Sequence, residues 1–279
     1  METVIPDSDL SQPDFLLQTM HVFAHPSTIL WRAIEARELH QEFLNRKFRR
    51  PVLDLGCGDG RFSRTAFNDS TIDVGVDIVR SSLSKAKKHG SYQYLLAGDG
   101  SRLPFRDGSF ETIISNSVLE HIPNLGQTIQ EIRRVLKDGG FLVFTVPSAN
   151  FSRYLLPSTV QKLGFLTPFI QWYGTKRNSL LQHFNVFTAS NWTSQLTKQG
   201  FALVQVRSCL TKDTIRLWDA MALVIFTFRV ALRKFPNSTS GILLNASQKW
   251  RIVVLSSVLR KFYLAEAEEG GDLIVVARK

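Results

Sequence analysis

Residues 51–67 read PVLDLGCGDGRFSRTAF, and their chemistry runs strand, tight turn, helix. Pro51 to Leu55 is a short apolar run, Gly56, Gly58 and Gly60 follow at alternate positions, and Arg61 to Phe67 reads as the start of a helix. Residues without side chains at the carboxyl end of a strand let the backbone turn sharply and let a ligand come close, with a helix N-terminus behind it. A nucleotide-like molecule fits such a bend. A dinucleotide fingerprint would need glycine or alanine at position 61, where Arg61 stands, and a phosphate-binding P-loop would need a Gly-Lys-Ser/Thr ending that the chain lacks.

Working outward, the same unit recurs. TIDVGVDI (71–78) is a second strand with SSLSKAKKH (81–89) as its helix, and YQYLLAGD (92–99) is a third. FETIISNS (110–117) is a fourth strand after a turn over Pro104 to Gly108, and FLVFTVP (141–147) is a fifth, preceded by a helix over Thr128 to Leu136 that Asp138, Gly139 and Gly140 close. Apolar strands alternating with helices predict a parallel sheet covered on both faces and joined by right-handed crossovers. Upstream, Ser27 to Phe48 has helical spacing with Ser27 as its cap. Downstream, Thr188 to Gln199 reads as a helix, FALVQVRSCL (201–210) as a sixth strand and DLIVVARK (272–279) as the last. Residues 148–187, with scattered aromatics and prolines, are expected to form short helices over the open end of the sheet.

Two strand-end acids sharpen the ligand. Asp77 closes the second strand, 17 residues after Gly60, where a carboxylate can accept from both hydroxyls of a ribose. Asp99 ends the third strand in AGDGSRLPF (97–105), placed to accept from an adenine amino group. With Asp54, these pieces resemble the class I S-adenosylmethionine-dependent methyltransferases, especially the broad group with small-molecule and lipid acceptors. The resemblance spans residues 51–146 in order: DLGCGDG (54–60), VGVD (74–77), AGDGSRLPF, FETIISNSVLEHI (110–122) and RVLKDGGFLVFTVP (134–147), with a weaker echo in HFNVFTASNWTSQLTKQGF (183–201).

The resemblance implies a Rossmann-like α/β fold: seven strands, the last antiparallel, helices on both faces, and S-adenosylmethionine as cofactor. By the same implication Asp54 and Gly56 face the methionine part, Gly58 belongs to the cofactor-binding turn, Asp77 faces the ribose, Asp99 with Gly100 the adenine, and Asn116 lies near the methionine moiety. Displacement at a sulfonium methyl needs alignment more than acid or base help, but a hydroxyl or protonated amine acceptor needs a base. His121 and His183 are the candidates, because an unperturbed imidazole titrates near neutral pH. For His121 a purely structural LEH turn is the other reading, and for His183 a packed or capping ring. Arg32 is a candidate for the methionine carboxylate, and Trp31, Trp172 and Tyr173 for the walls of an acceptor pocket.

Residues 211–270 depart from the family's short hairpin before the last strand. Their centre, AMALVIFTFRVAL (220–232), is apolar, yet flanking and internal charges leave no run long enough to span a bilayer. A second helix over 243–264 mixes apolar with basic residues. The pair either packs on the core or lies on an anionic membrane surface. Charge is uneven: the net is −1 through Asn150 and +11 beyond it, and residues 151–210 carry six Lys or Arg and no acid. That face is either simply solvated or meets an anionic partner.

The expected organisation is a flexible tail over 1–26, a core over 27–210, a helical insertion over 211–270 and a final strand over 271–279. Two cysteines, Cys57 and Cys209, are too few for a disulfide framework or a cysteine-rich metal site. No metal is expected, and a cytoplasmic compartment fits. The predicted activity is methyl transfer to a small-molecule or lipid-linked acceptor. The alternatives are a catalytically silent cofactor-binding protein and a nucleic-acid methyltransferase; no nucleic-acid module or Asn-Pro-Pro-Tyr type motif is found.

Overall fold

The computed structural model describes residues 13–47, 49–67, 70–234 and 248–279. Seven strands form one sheet: β1 (Val52–Leu55), β2 (Ile72–Asp77), β3 (Tyr92–Ala97), β4 (Phe110–Asn116), β5 (Leu136–Pro147), β6 (Ala202–Cys209) and β7 (Asp272–Arg278). Their spatial order is β3-β2-β1-β4-β5-β7-β6. β1 to β5 run parallel, and β7 is antiparallel to both neighbours. The helices are α1 (Phe15–Val22), α2 (Pro26–Arg46), α3 (Arg61–Ala66), α4 (Arg80–His89), α5 (Leu125–Val135), α6 (Thr167–Leu180), α7 (Ala189–Lys198), α8 (Lys212–Lys234) and α9 (Gln248–Tyr263). This is the Rossmann-like, mostly parallel sheet that the sequence predicts. Strand order reverses at β1 and β4, and in an open parallel sheet the crevice outside the carboxyl ends at that point takes the ligand.

Successive residues of each strand point to opposite faces. Leu53, Ile113, Phe144 and Val275 pack under α5 and α7 with Ile129, Ile132 and Trp192. Val52, Ile114, Val143 and Ile274 pack on the other face with Ile29, Leu30 and Ile34 of α2. Ile215 of α8 and Leu259 and Tyr263 of α9 belong to that second cluster, so the described part of the insertion is continuous with the core. No helix of the described residues is long and apolar enough to cross a membrane.

The N-terminal segment corrects the expectation of a loose tail over 1–26. Residues 15–22 are helical, with the Asp14 carboxylate accepting from the Leu17 N–H at 3.2 Å as a cap, and Phe15, Leu16 and Met20 are buried. Asp14 also pairs with Arg260 of α9 at 2.6 Å. The acidic composition of the segment concealed a short apolar helix that needs a tertiary partner to persist. Residues 1–12 of that expected tail and 235–247 of the insertion lie outside the described residues. At α2 the cap is His25, with Pro26 at the first helical position, and Ser27 is buried inside the first turn; proline is pre-organised for that place. In 148–187, α6 is a full 14-residue helix.

α2 carries a buried stripe of Glu35, Glu38 and Glu42. Arg46 pairs with Glu42 at 2.8 Å and Arg37 with Glu38 at 2.7 Å, while Arg207 of β6 reaches both acids. Arg207 and Arg177, which pairs with the buried Asp219 at 2.9 Å, are two of the six cations of 151–210. Part of that basic half is therefore engaged inside the molecule.

Candidate active site

The glycine turn after β1 has the geometry its sequence implies. Gly56 stands at φ +78°, and a Cβ there would lie 2.3 Å from Val118, so no side chain fits. Gly58, at φ +55°, faces open space, with nothing within 4 Å of where a Cβ would stand. The turn is pinned from below: the N–H groups of Gly56 and Cys57 donate to the Val76 carbonyl at 2.8 and 3.0 Å. Asp77 holds the rim, its Oδ2 accepting from Gly58 N–H at 2.8 Å and its Oδ1 from Val79 N–H at 2.7 Å. Asp99 accepts from Ser101 N–H at 2.8 Å, and the carbonyl of Asp77 accepts from Gly98 N–H at 3.1 Å. The bend, Asp77 and the Asp99–Gly100 turn thus lie together at the carboxyl ends of β1, β2 and β3.

Asp54 differs from its expected place. Its carboxylate lies beneath the turn, 2% exposed, where Oδ2 accepts from Ser63 Oγ at 2.5 Å and Tyr92 OH at 2.6 Å. Burial pushes its pKa up to about 6, against the lowering effect of those two hydrogen bonds. The residue braces the turn onto α3 and β3 and does not face outward. Ile78, next to Asp77, is apolar yet 71% exposed. Sequence reading passed over it, although an apolar residue just beyond the strand-end acid is visible in VGVDI.

At the end of β4, Asn116 is drawn toward Glu35, a residue that sequence reading did not single out. Glu35 is fully buried and pairs with Arg32 at 2.7 Å. It accepts from Asn116 Nδ2 at 3.2 Å and from Ser117 Oγ at 2.5 Å, with Thr145 Oγ1 3.2 Å away. This hub ties α2 to the ends of β4 and β5 and holds Ser117 in a left-handed conformation at φ +50°. It also aims Arg32, partly exposed, across the Phe62 ring at 5.6 Å, beside the glycine turn. An acid at helical spacing among apolar residues was the available signal.

His121 and His183 meet, with ring centroids 5.3 Å apart. His183 is pushed down to about 4 by burial and by His121, and its ring is therefore neutral near pH 7. Glu120 is buried and pushed up to about 8, first by burial and then by Glu35. Asp272, at the start of β7, lies well above the usual carboxylate range through burial and the nearness of Glu35 and Glu120. Above these groups stands an aromatic wall: Trp31 packs edge-on against Phe151 at 5.7 Å and Trp218 at 5.3 Å, and Phe151 meets His183 at 5.6 Å. Of the three expected wall residues Trp31 belongs to it. Trp172 is 60% exposed, and Tyr173 donates to Asp219 at 2.9 Å. Phe151 and Trp218 were missed because their segments lack clean periodicity.

Residues 53–144 match the model of a methyltransferase domain family. A malonyl-[acyl-carrier protein] O-methyltransferase from Legionella pneumophila is 33% identical over 101 residues, which are 34% of this chain and 36% of that protein. A ubiquinone biosynthesis O-methyltransferase from Coxiella burnetii is 32% identical over 115 residues, 37% of this chain and 46% of that protein. The matched segments span about a third to a half of the length of these curated relatives. Among solved structures, an SAM-dependent methyltransferase from Thermotoga maritima superposes with a TM-score of 0.56 at 15% identity, covering 96% of this chain and 100% of that one. Another from Archaeoglobus fulgidus gives 0.50 at 17% identity, covering 89% and 94%. At such identities the likeness is one of fold.

Proposed function

We infer that this chain, which has the class I methyltransferase fold with a methyltransferase domain over residues 53–144, is an S-adenosylmethionine-dependent methyltransferase acting on a small-molecule or lipid-linked acceptor. The observation that carries this reading is the meeting of strand ends: Gly58 open to space and bonded to Asp77, with Asp99 and Gly100 on the neighbouring strand end. Asp77 would accept from the ribose hydroxyls, each of its oxygens keeping a lone pair beyond its backbone bond. Asp99 and Gly100 would border the adenine, with Ile78 against the ring. Gly56 and Gly58 would let the backbone approach the methionine part, and Arg32 would meet its carboxylate. Asn116 and Asp54 act behind these groups, one holding the Glu35 hub and the other the turn.

Bound there, S-adenosylmethionine would supply a methyl group already activated by the positive charge on its sulfur. The protein's own contribution is alignment and exclusion of water by Trp31, Phe151 and Trp218, an effect worth roughly 7 to 11 kcal/mol in favourable cases. His183, neutral at physiological pH, can accept a hydrogen bond from an acceptor hydroxyl. His121, partly solvent-exposed beside it, can pass a proton to water.

A lipid-linked acceptor is favoured by an exposed apolar surface on the segment that leads to His183. Phe165 is 79% and Trp172 60% exposed, with Phe169, Leu180 and Phe184 exposed beside them, and Lys162 and Lys176 lie in the same segment. Val224, Phe226, Val254 and Val258 of the insertion are exposed as well. An apolar surface with basic neighbours suits an anionic membrane. Incubating the protein with radiolabelled S-adenosylmethionine and fractionated lipids, metabolites and RNA tests the reading, and label is expected in a lipid or small-molecule fraction. Cofactor binding without transfer to any fraction would favour the silent binding protein; label in RNA would favour the nucleic-acid reading.

A further inference from the structure

Glu120, His121 and His183 come from two segments that the sequence does not connect. The first two form the 3₁₀ turn Leu119–His121 after β4, and the third follows α6. Backbone bonds clamp the segments together: the N–H groups of Phe184 and Asn185 donate to the Glu120 carbonyl at 2.7 and 3.1 Å. The Asn185 amide donates to the carbonyls of Leu119 and Ile122 at 2.9 and 2.7 Å. One carboxylate oxygen of Glu120 and one ring nitrogen of each histidine all lie within 4.8 Å of one another.

The outer partners fix both imidazoles. His121 Nδ1 faces the Gln182 carbonyl at 3.1 Å, and His183 Nδ1 faces Asn178 Oδ1 at 3.2 Å. Both partners are acceptors, so each Nδ1 carries the proton and each Nε2 presents a lone pair, the arrangement that supporting hydrogen bonds impose on metal-binding imidazoles. Glu120 is 1% exposed, and among the described residues its Oε2 has no hydrogen-bond partner. A buried carboxyl oxygen without a partner is costly, and a cation that displaces the carboxyl proton relieves it.

We propose that Glu120, His121 and His183 bind a divalent transition-metal ion of the zinc type, three protein ligands leaving a coordination position open. Two imidazoles and one carboxylate are a ligand set that such metals use when they keep a place for water or substrate, whereas magnesium and calcium favour oxygen shells. Ligands at about 2.1 Å from a tetrahedral ion stand about 3.4 Å apart, a closure that side-chain rotation supplies here.

The site stands without the methyltransferase reading; its use does not. Resting on that reading, and in place of the hydrogen bond to His183 described above, the open position takes an acceptor hydroxyl and lowers its pKa. The hydroxyl proton passes to bulk water, the oxygen forms a new bond to the methyl carbon, and the carbon–sulfur bond breaks with its electron pair left on sulfur. The acceptor class is therefore an alcohol or phenol.

The test uses the full chain, stripped with a chelator and dialysed to equilibrium against zinc. About one zinc per chain is expected. Glu120→Gln and His183→Asn should each weaken retention by more than about tenfold, and Asn178→Ala, which removes only the outer partner, by about tenfold. His89→Asn, in α4, should leave it unchanged. No retained zinc in the wild type, or retention untouched by both ligand variants, overturns the proposal. Should a variant fail to fold by circular dichroism, cobalt on the wild type decides: visible absorption of a low-coordinate site supports the proposal, and a spectrum of hydrated cobalt overturns it. S-adenosylmethionine affinity, read in parallel by calorimetry, separates failure of this site from failure of the methyltransferase reading.

Discussion

Asp219 of α8, fully buried, pairs with Arg177 of α6 at 2.9 Å. The same carboxylate accepts from Tyr173 OH at 2.9 Å and from Leu156 N–H at 3.1 Å, and Arg177 lies 5.1 Å over the Trp218 ring. One acid of the insertion thus anchors three points of the segment 156–177. Asp219→Ala leaves a half-buried guanidinium and phenol without their partner and should cost about 2 kcal/mol. Urea unfolding would measure it, and hydrogen exchange over 156–180 should accelerate. A midpoint unchanged from wild type would mean the segment is held by other contacts.

Asp77→Ala should weaken S-adenosylmethionine binding by more than about tenfold, because two charge-assisted bonds to a ribose are removed. Calorimetry on the purified variant measures this. Equal affinity in wild type and variant would refute the ribose assignment.

Gly58→Ala separates ligand approach from folding. Its left-handed backbone makes alanine cost about 1 kcal/mol, while the added methyl clashes with no protein atom and projects where the cofactor would lie. Thermal unfolding should shift by a few degrees at most, whereas cofactor affinity should fall at least about tenfold. Loss of stability without loss of affinity would place the cofactor elsewhere.

Asp54 makes stability depend on pH in an unusual direction. Its ordinary value of 3.8 is raised to about 6 in the fold, so the folded state binds the proton more tightly than the unfolded chain. The contribution is fully present below pH 3.8 and is lost as pH rises through 6, amounting to about 3 kcal/mol. Asp54→Asn keeps an oxygen for Ser63 and Tyr92 and removes the titration. The difference in unfolding free energy between variant and wild type should therefore grow from pH 4 to pH 7; a difference constant across that range would show that Asp54 does not titrate there.

The glycine bend, Asp77 and Asp99 were legible because each is a local requirement, of backbone freedom or of position at a strand end, that a period-2 apolar pattern locates. Glu35, Trp218 and Asp219 were not. An acid within an apolar helix face, or an aromatic on an insertion, carries no mark of the partner it meets across the fold. The same limit hid α1, whose eight residues are too short to be helical alone.

From the sequence by itself came the alternation of strands and helices, hence the parallel sheet, its crevice and the residues that rim it, since these follow from periodicities repeated along contiguous chain. Only the tertiary structure decided which groups gather past the end of β4. There Glu120 and His121 meet His183, and α2, α6 and α8 close over them through Glu35, Arg177 and Asp219. Pairings across about 40 to more than 100 residues depend on how helices seat on the sheet, and packing of whole faces, not local spacing, sets that seating.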